Sequence, residues 1–406
     1  MPTIEQASVQ VAEFPYRFAS PFGNDGIVPL YSSVPLNSPE SGCLPCVVCG
    51  NSVVRNQVIA SASQSNNGAN GVNGTAGSGT KVVITPEAPP PTTRVLVVGG
   101  GGAAYDPGWS GFCPGGGGGG QVVESLDVPL SSGAIYQAYV GRGGINYLNE
   151  HNVPYICGET SRFGIAGGLP LLIAAGGQGG GSGGDGPANP PTNPYTGGGG
   201  GVYPVYPSTT GTSGFSGGDA DSVFDNTVPF QVFVSGGGAG AAESGKSGYI
   251  DIQTVQGATT VFVGGPDHYT GGPQGGAGVK SLILNQHFGG GGGGTYHCHV
   301  PGSWAIDAHA GAGGLGGGGA GYASYVHGDP IPSVCIPAPN SGGGAGACGY
   351  NNPPNVPGAD GVVVIQIPHL QFTGEVTGQH TQTVAFDNFG NRYVQLTFTG
   401  TGTYTA

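Results

Sequence analysis

The chain has 406 residues, 88 of them glycine and 34 proline, and it carries a formal net charge of −13 with nine Lys plus Arg. So few cations leave no basic patch to neutralise phosphates, which argues against a nucleic-acid partner. The glycines fall in blocks and not at every third position, which excludes collagen, and no apolar run approaches the roughly 20 residues that span a bilayer.

Glycine and proline at this level usually mark low-complexity or disordered sequence. Two features oppose that reading. The hydrophobic fraction is 37%, carried by β-branched and aromatic residues in compact runs, and the charged fraction is only 8%, whereas disordered chains are charge-rich and poor in aromatics. An ordered chain of one large or two modest domains is expected. The N-terminus, MPTIEQASVQVAEF, lacks the basic and apolar regions of a signal peptide, so synthesis in a cytoplasm is expected.

In chain order, residues 1–91 form a segment of β and linker character, suited to attachment or assembly. Phe14, Tyr16, Phe18 and Phe22 alternate with polar or small residues, and Val53, Val54, Val58 and Ile59 suggest a strand. The polar tract SASQSNNGANGVNGTAGSGT reads as a loop, and Pro89, Pro90 and Pro91 as a stiff hinge. From Thr92 a new design begins. RVLVVGGGG sends a short apolar strand into glycines; GGGGGGQVV, IYQAYVGRGG, LLIAAGGQGGG, FQVFVSGGGAG, VFVGG and SLILNQHFGGGGGG repeat the theme up to GADGVVVIQIP. The repeat length is not fixed, so this is no regular solenoid, and glycine at this density opposes helix. Residues 368–406 drop the blocks; there Val394, Leu396 and Phe398 alternate with Tyr393, Gln395, Thr397 and Thr399, a strand with two unlike faces.

Glycine costs about 0.5–1 kcal/mol more than alanine in a regular element, so a folded body rich in it must gain from the missing side chains. Poly-Gly can form an extended threefold helix like polyproline II but with free N–H groups, and parallel rods of this kind can hydrogen-bond side by side. The expected fold is therefore all-β, with short strands flanking or capping a polyglycine-II-like core over residues 92–367 and negligible helix. Non-glycine loops would gather at the ends. Tyr105, Trp109 and Phe112 in one such loop, and Tyr296 and Trp304 in another, offer aromatic contact area for a receptor or simply cap the core.

RVLVVGGGG, GGGGGGQVV, IYQAYVGRGG and GADGVVVIQI resemble the glycine-rich domain of bacteriophage tail-fibre and adhesin proteins, and of related capsid-fibre proteins in large DNA viruses. The resemblance covers roughly residues 92–367. It implies packed polyglycine helices, loops at the tip that bind host surface glycan or protein, and a virion protein partnered by copies of itself and by other virion proteins. This chain departs from the pattern in its eight cysteines. It also departs in TFTGTGTYTA, which in the family precedes the VLVVGGGG strand and here ends the chain. That strand either folds back beside Val95–Val98 or completes a neighbouring subunit.

Chemical motifs are few. Cys43, Cys46 and Cys49 have C-x₂-C-x₂-C spacing; zinc or an iron–sulfur cluster needs a fourth ligand, which only a distant residue such as Cys113 or Cys157 could supply, and a disulfide or buried thiols are the alternatives. Cytosolic cysteines stay reduced, while an assembly that reaches an oxidising exterior can pair them, and sequence does not give the pairing. His297, Cys298 and His299 are candidate metal ligands, set against an ordinary polar loop. After VLVVGGGG comes Tyr105-Asp106-Pro107-Gly108-Trp109, no helix start, which opposes a dinucleotide site. No cofactor and no catalytic residue is assigned. The expected function is a non-enzymatic, self-assembling virion fibre, spike or capsid-surface protein; a receptor-binding tip adhesin and a glycan-cleaving tailspike are the alternatives.

Overall fold

Arg94 opens an apolar run, Val95–Val98, whose four residues are all fully buried. This computed structural model describes residues 48–49, 52–53, 90–104, 113–145, 157–180, 215–225, 230–256, 258–265, 271–299, 305–323, 333–349 and 356–406. The chain divides into two compact units, Met1–Pro89 and Pro90–Ala406. In the first, β1 (Val48–Cys49) pairs antiparallel with β2 (Ser52–Val53). The second unit begins with β3 (Arg94–Val98), β4 (Val122–Ser125), β5 (Ile135–Tyr139), β6 (Ser161–Ile165) and β7 (Pro170–Ala174). Next come β8 (Asp221–Asp225), β9 (Phe230–Val234), β10 (Tyr249–Val255) and β11 (Ala258–Gly264). Short strands follow: β12 (Val279–Lys280), β13 (His287–Phe288), β14 (Tyr296–His299), β15 (Ala305–Ala308), β16 (Tyr322–Ala323) and β17 (Cys348–Gly349). The last are β18 (Val362–Pro368), β19 (Val376–Phe386) and β20 (Arg392–Thr405). The fold is strand-rich, as expected: among the described residues there is no α-helix, only the three-residue 3-10 turns Ser333–Cys335 and His369–Gln371.

The largest sheet has eight strands in the order β4-β3-β18-β20-β5-β6-β7, with β19 on the free side of β20. All its pairs are antiparallel. It nearly closes on itself: beside its two end strands, Gln121 N–H donates to Ala175 O at 2.8 Å and Ala175 N–H donates to Gln121 Oε1 at 3.1 Å. β20 joins the halves, pairing with β18 through residues 393–398 and with β5 through 402–405. Its alternation places Val394, Leu396, Phe398 and Tyr404 in one core with Val95, Val97, Tyr136, Phe163, Val363, Ile365 and Ile367. On the other face, Leu96, Val98, Val362 and Val364 pack with Phe288. An unbroken apolar run is what a strand covered on both sides requires, and β3 and β18 both have one.

A second group combines the sheet β14-β9-β8 with the sheet β10-β11-β15. They enclose Val232, Val234, Ile250, Val261, Val263 and Cys298.

Two sequence expectations resolve in detail here. SLILNQHF looked like one strand, but only His287–Phe288 is extended. Ser281 Oγ accepts from Ile283 N–H and Leu284 N–H, and the Glu124 carboxylate accepts from Leu282 N–H at 3.0 Å. Side-chain oxygens that take backbone donors compete with a sheet ladder, and Leu282 is left 77% exposed. The C-terminal strand lies next to β18, one strand removed from Val95–Val98, and strands of its own chain pair with both of its edges.

Candidate functional site

The glycine runs grow from strand ends of both groups. Residues 99–102 follow β3, 115–120 lead to β4, and 358–361 lead to β18; from the other group, 235–240 follow β9 and 289–294 join β13 to β14. These runs interleave. Gly116 N–H donates to Gly236 O at 3.1 Å, Gly292 N–H to Gly117 O at 2.8 Å and Gly344 N–H to Gly290 O at 2.8 Å. The runs 115–120 and 289–294 bridge the two β groups. At one end Cys113 packs on Phe233 of β9, and at the other Phe288 packs on Leu96 and Val98 of β3.

Donor direction repeats every third residue. Gly116 and Gly119 donate to 236 and 239, Gly117 and Gly120 to 345 and 342, Gly118 and Gln121 to 178 and 175. Gly290 and Gly293 donate to 316 and 319, Gly291 and Gly294 to 276 and 273, and Gly358 and Gly361 to 144 and 141. Backbones touch directly: a Cβ at Gly117 would stand 2.2 Å from Gly102 O, and one at Gly292 1.8 Å from Ala345 O. Buried amides and carbonyls thus satisfy one another across runs, as buried backbone groups must.

The aromatic loops enter at the edge of this block. Tyr105, Trp109, Phe112 and Trp304 lie outside the described residues, but the roots of both loops do not. Cys113, which ends the first, packs against Phe233, and His297, just inside the second, stacks on the same ring with centroids 6.2 Å apart at 15°. Phe233 therefore gathers both roots. Tyr296 packs, partly buried, on the core of the second group.

Of the CLPCVVC thiols only Cys49 falls in a described element, β1; Cys43 and Cys46 lie outside the described residues. His297, Cys298 and His299 sit consecutively on β14. Strand alternation turns Cys298 to the opposite face from His297 and into the apolar core. Burial pushes its thiol up to about 12, whereas a metal ligand must be a thiolate. Among the described residues no group of three or more His, Cys, Asp and Glu stands close enough to hold a metal. Burial likewise raises Cys157, a hydrogen bond involving the Gly179 backbone offsetting part of the rise. Native protein at about pH 8 should therefore leave Cys298 unalkylated while denatured protein is labelled there, as read by peptide mass mapping.

The pairing that sequence left open is Cys335–Cys348, across a separation of 13 residues. It ties the Ser333–Cys335 turn to β17, beside Ala104, Ala345 and Val356. Closing a loop of this length contributes about 2–4 kcal/mol. Reductant, or Cys335→Ser, should lower the unfolding free energy from denaturant titration by that much, and reductant should have no further effect on the variant. Nothing in the spacing marks these two among the cysteines; Cys157 and Cys298 are free thiols.

Sequence reasoning also missed a polar clamp. Arg94 Nη2 donates to Asp387 Oδ2 at 2.9 Å, 293 residues away, and its guanidinium lies 4.6 Å from the Tyr393 ring centroid. Asp387 also accepts from Phe389 N–H and Asn391 N–H, each at 2.9 Å, and from Asn391 Nδ2 at 3.0 Å. Burial alone would push the Asp387 carboxyl up; the bonds from Asn391 and Phe389 and the charge of Arg94 outweigh it and hold it below the usual range.

Short, mostly antiparallel sheets joined by side-by-side glycine backbones define an all-β, glycine-packed domain. A family model described as a glycine-rich domain matches residues 75–368, and the chain belongs to that family. No curated protein and no solved structure matches it. No helix among the described residues is long and apolar enough to cross a membrane.

Proposed function

We propose that this chain is a non-enzymatic structural protein of a virus particle, a fibre, spike or capsid-surface component that assembles with copies of itself and with other virion proteins. The observation that carries this reading is the three-residue repeat of donor direction in the glycine runs. Three residues per turn is the period of a polyproline-II-type helix, so we take the block as packed polyglycine II. Rods about 3.1 Å long per residue, hydrogen-bonded on several sides, make a stiff spacer with little apolar volume, which suits a load-bearing part of a particle. The family resemblance of RVLVVGGGG and GADGVVVIQI supports the same reading. Immunogold labelling of purified particles tests it: decoration of the particle surface is expected, and antigen confined to the soluble fraction of infected cells would overturn it.

A second reading, host attachment, draws on the shared anchoring of both aromatic loops at Phe233. It expects saturable binding of purified protein to host cells, lost in Trp109→Ala with Trp304→Ala while the melting temperature holds.

A further inference from the structure

β19 is an eleven-residue strand, VTGQHTQTVAF, that pairs with β20 along one edge only. No described strand pairs with its other edge. A sheet edge presents a row of unpaired N–H and C=O groups, and proteins blunt such edges with short strands, charges, prolines, bulges or a covering segment. β19 is long, and Val376–Phe386 contains no Lys, Arg, Asp, Glu or Pro. Its one irregularity falls between Gly378 and His380, which leaves seven residues, His380–Phe386, in regular register with Phe398–Arg392 of β20. Gln379, Thr381, Gln382, Thr383, Val384 and Phe386 are all exposed.

We infer that the free edge of β19 is an interface at which a second copy of this chain adds its own β19, antiparallel about a two-fold axis, so that the sheet runs on from β20 through β19 into the partner copy. This rests on the self-assembly reading above and gives it a location. The occupant is argued from charge and from self-complementarity. The chain as a whole carries −13, so copies repel over most of their surface, whereas a strand without charge meets itself with no like-charge pair. A two-fold requires one patch to complement itself. Reversing TQTVAF onto itself sets Thr, Gln, Val, Ala and Phe against one another, neutral pairs that favour a ladder. Val384 and Phe386, 50% and 67% exposed, add apolar cover at the strand end, next to Phe389 at 63%.

The test uses the full chain. Thr381→Lys combined with Thr383→Lys places cations on the exposed edge without touching the core. Sedimentation velocity and amide exchange are compared with those of wild type and of a Thr381→Ser, Thr383→Ser control. Wild type and control should form dimers or larger even-numbered species, with amides of residues 380–386 gaining protection on assembly. The lysine variant should keep the wild-type melting temperature and weaken association at least about tenfold. A lysine variant that assembles like wild type overturns the β19 interface and leaves self-assembly standing. Wild type that stays monomeric at concentrations of about 100 μM removes both. Alternate amides of 380–386 face β20 and are protected in any state; protection already present in the monomer at the others, which face the open edge, shows that edge covered from within the chain and overturns the interface as well.

Discussion

Replacing Gly292 by alanine should unfold the glycine block. The added methyl carbon would sit 1.8 Å from Ala345 O, the carbonyl that accepts from Gly117 N–H at 2.8 Å. Gly292 itself donates to Gly117 O and accepts from Gly238 N–H, both at 2.8 Å. No side-chain rotation relieves a clash between backbones, so the runs must separate and break bonds shared among several of them. A loss of about 5 kcal/mol or more is expected, comparable with the whole stability of an ordinary domain. Denaturant titration and amide exchange measure it, and protection should collapse across the block together. Gly374→Ala is the control. Its φ is +89°, but nothing lies within 4 Å of the place its methyl group would take, so only backbone strain of roughly 1 kcal/mol applies. Equal effects at the two positions would contradict the direct packing of backbones.

The second large effect belongs to Asp387. Its side chain is 5% exposed and that of Arg94 21%, so Asp387→Ala leaves a guanidinium mostly out of water and the backbone donors of the turn after β19 without their acceptor. Breaking one partner of a buried pair costs about 3–5 kcal/mol, and the partial exposure of Arg94 places the expected loss near the lower end. The pH dependence follows from the lowered carboxyl. A folded value below the unfolded one means the clamp stabilises the protein fully above the unfolded value, about 3.9. That stability fades as pH falls through this value and on through the folded one. Melting temperatures taken from about pH 6 down to about pH 2 should show wild type losing stability below about pH 4, with Asp387→Asn less stable at neutral pH and flatter through that window. Parallel curves would mean that Asp387 does not carry the transition.

Much of this architecture was legible in the sequence because its signals are local. Val95–Val98 running into glycine, and Val394, Leu396 and Phe398 alternating with polar neighbours, declare strands whatever their partners. The glycine blocks declare backbone packing because only missing side chains permit it. What the sequence hides is non-local. Arg94 meets Asp387 only after β18 and β20 place the start of β3 beside the β19–β20 turn. Cys335 finds Cys348 only because the glycine run between them, residues 342–346, is held against other runs. Phe233 receives His297 only through the pairing of β9 with β14, and Cys113 from 120 residues away. SLILNQHF misled because Glu124, far off in the chain, reaches over to hold a turn that apolar content alone does not suggest.

The interleaved runs carry a consequence for how such a domain changes length over generations. A backbone without side chains has nothing to tell it where to stop sliding, so alignment is imposed from outside by Phe288, Val98 and Phe233, where the runs meet the sheets. Deleting one glycine from 115–120 would turn every later donor away from its neighbour and aim it at the wrong one. Inserted or deleted residues in any single run should therefore come in multiples of three, and related chains should differ in run length by such steps while keeping the aromatic and valine stops in place.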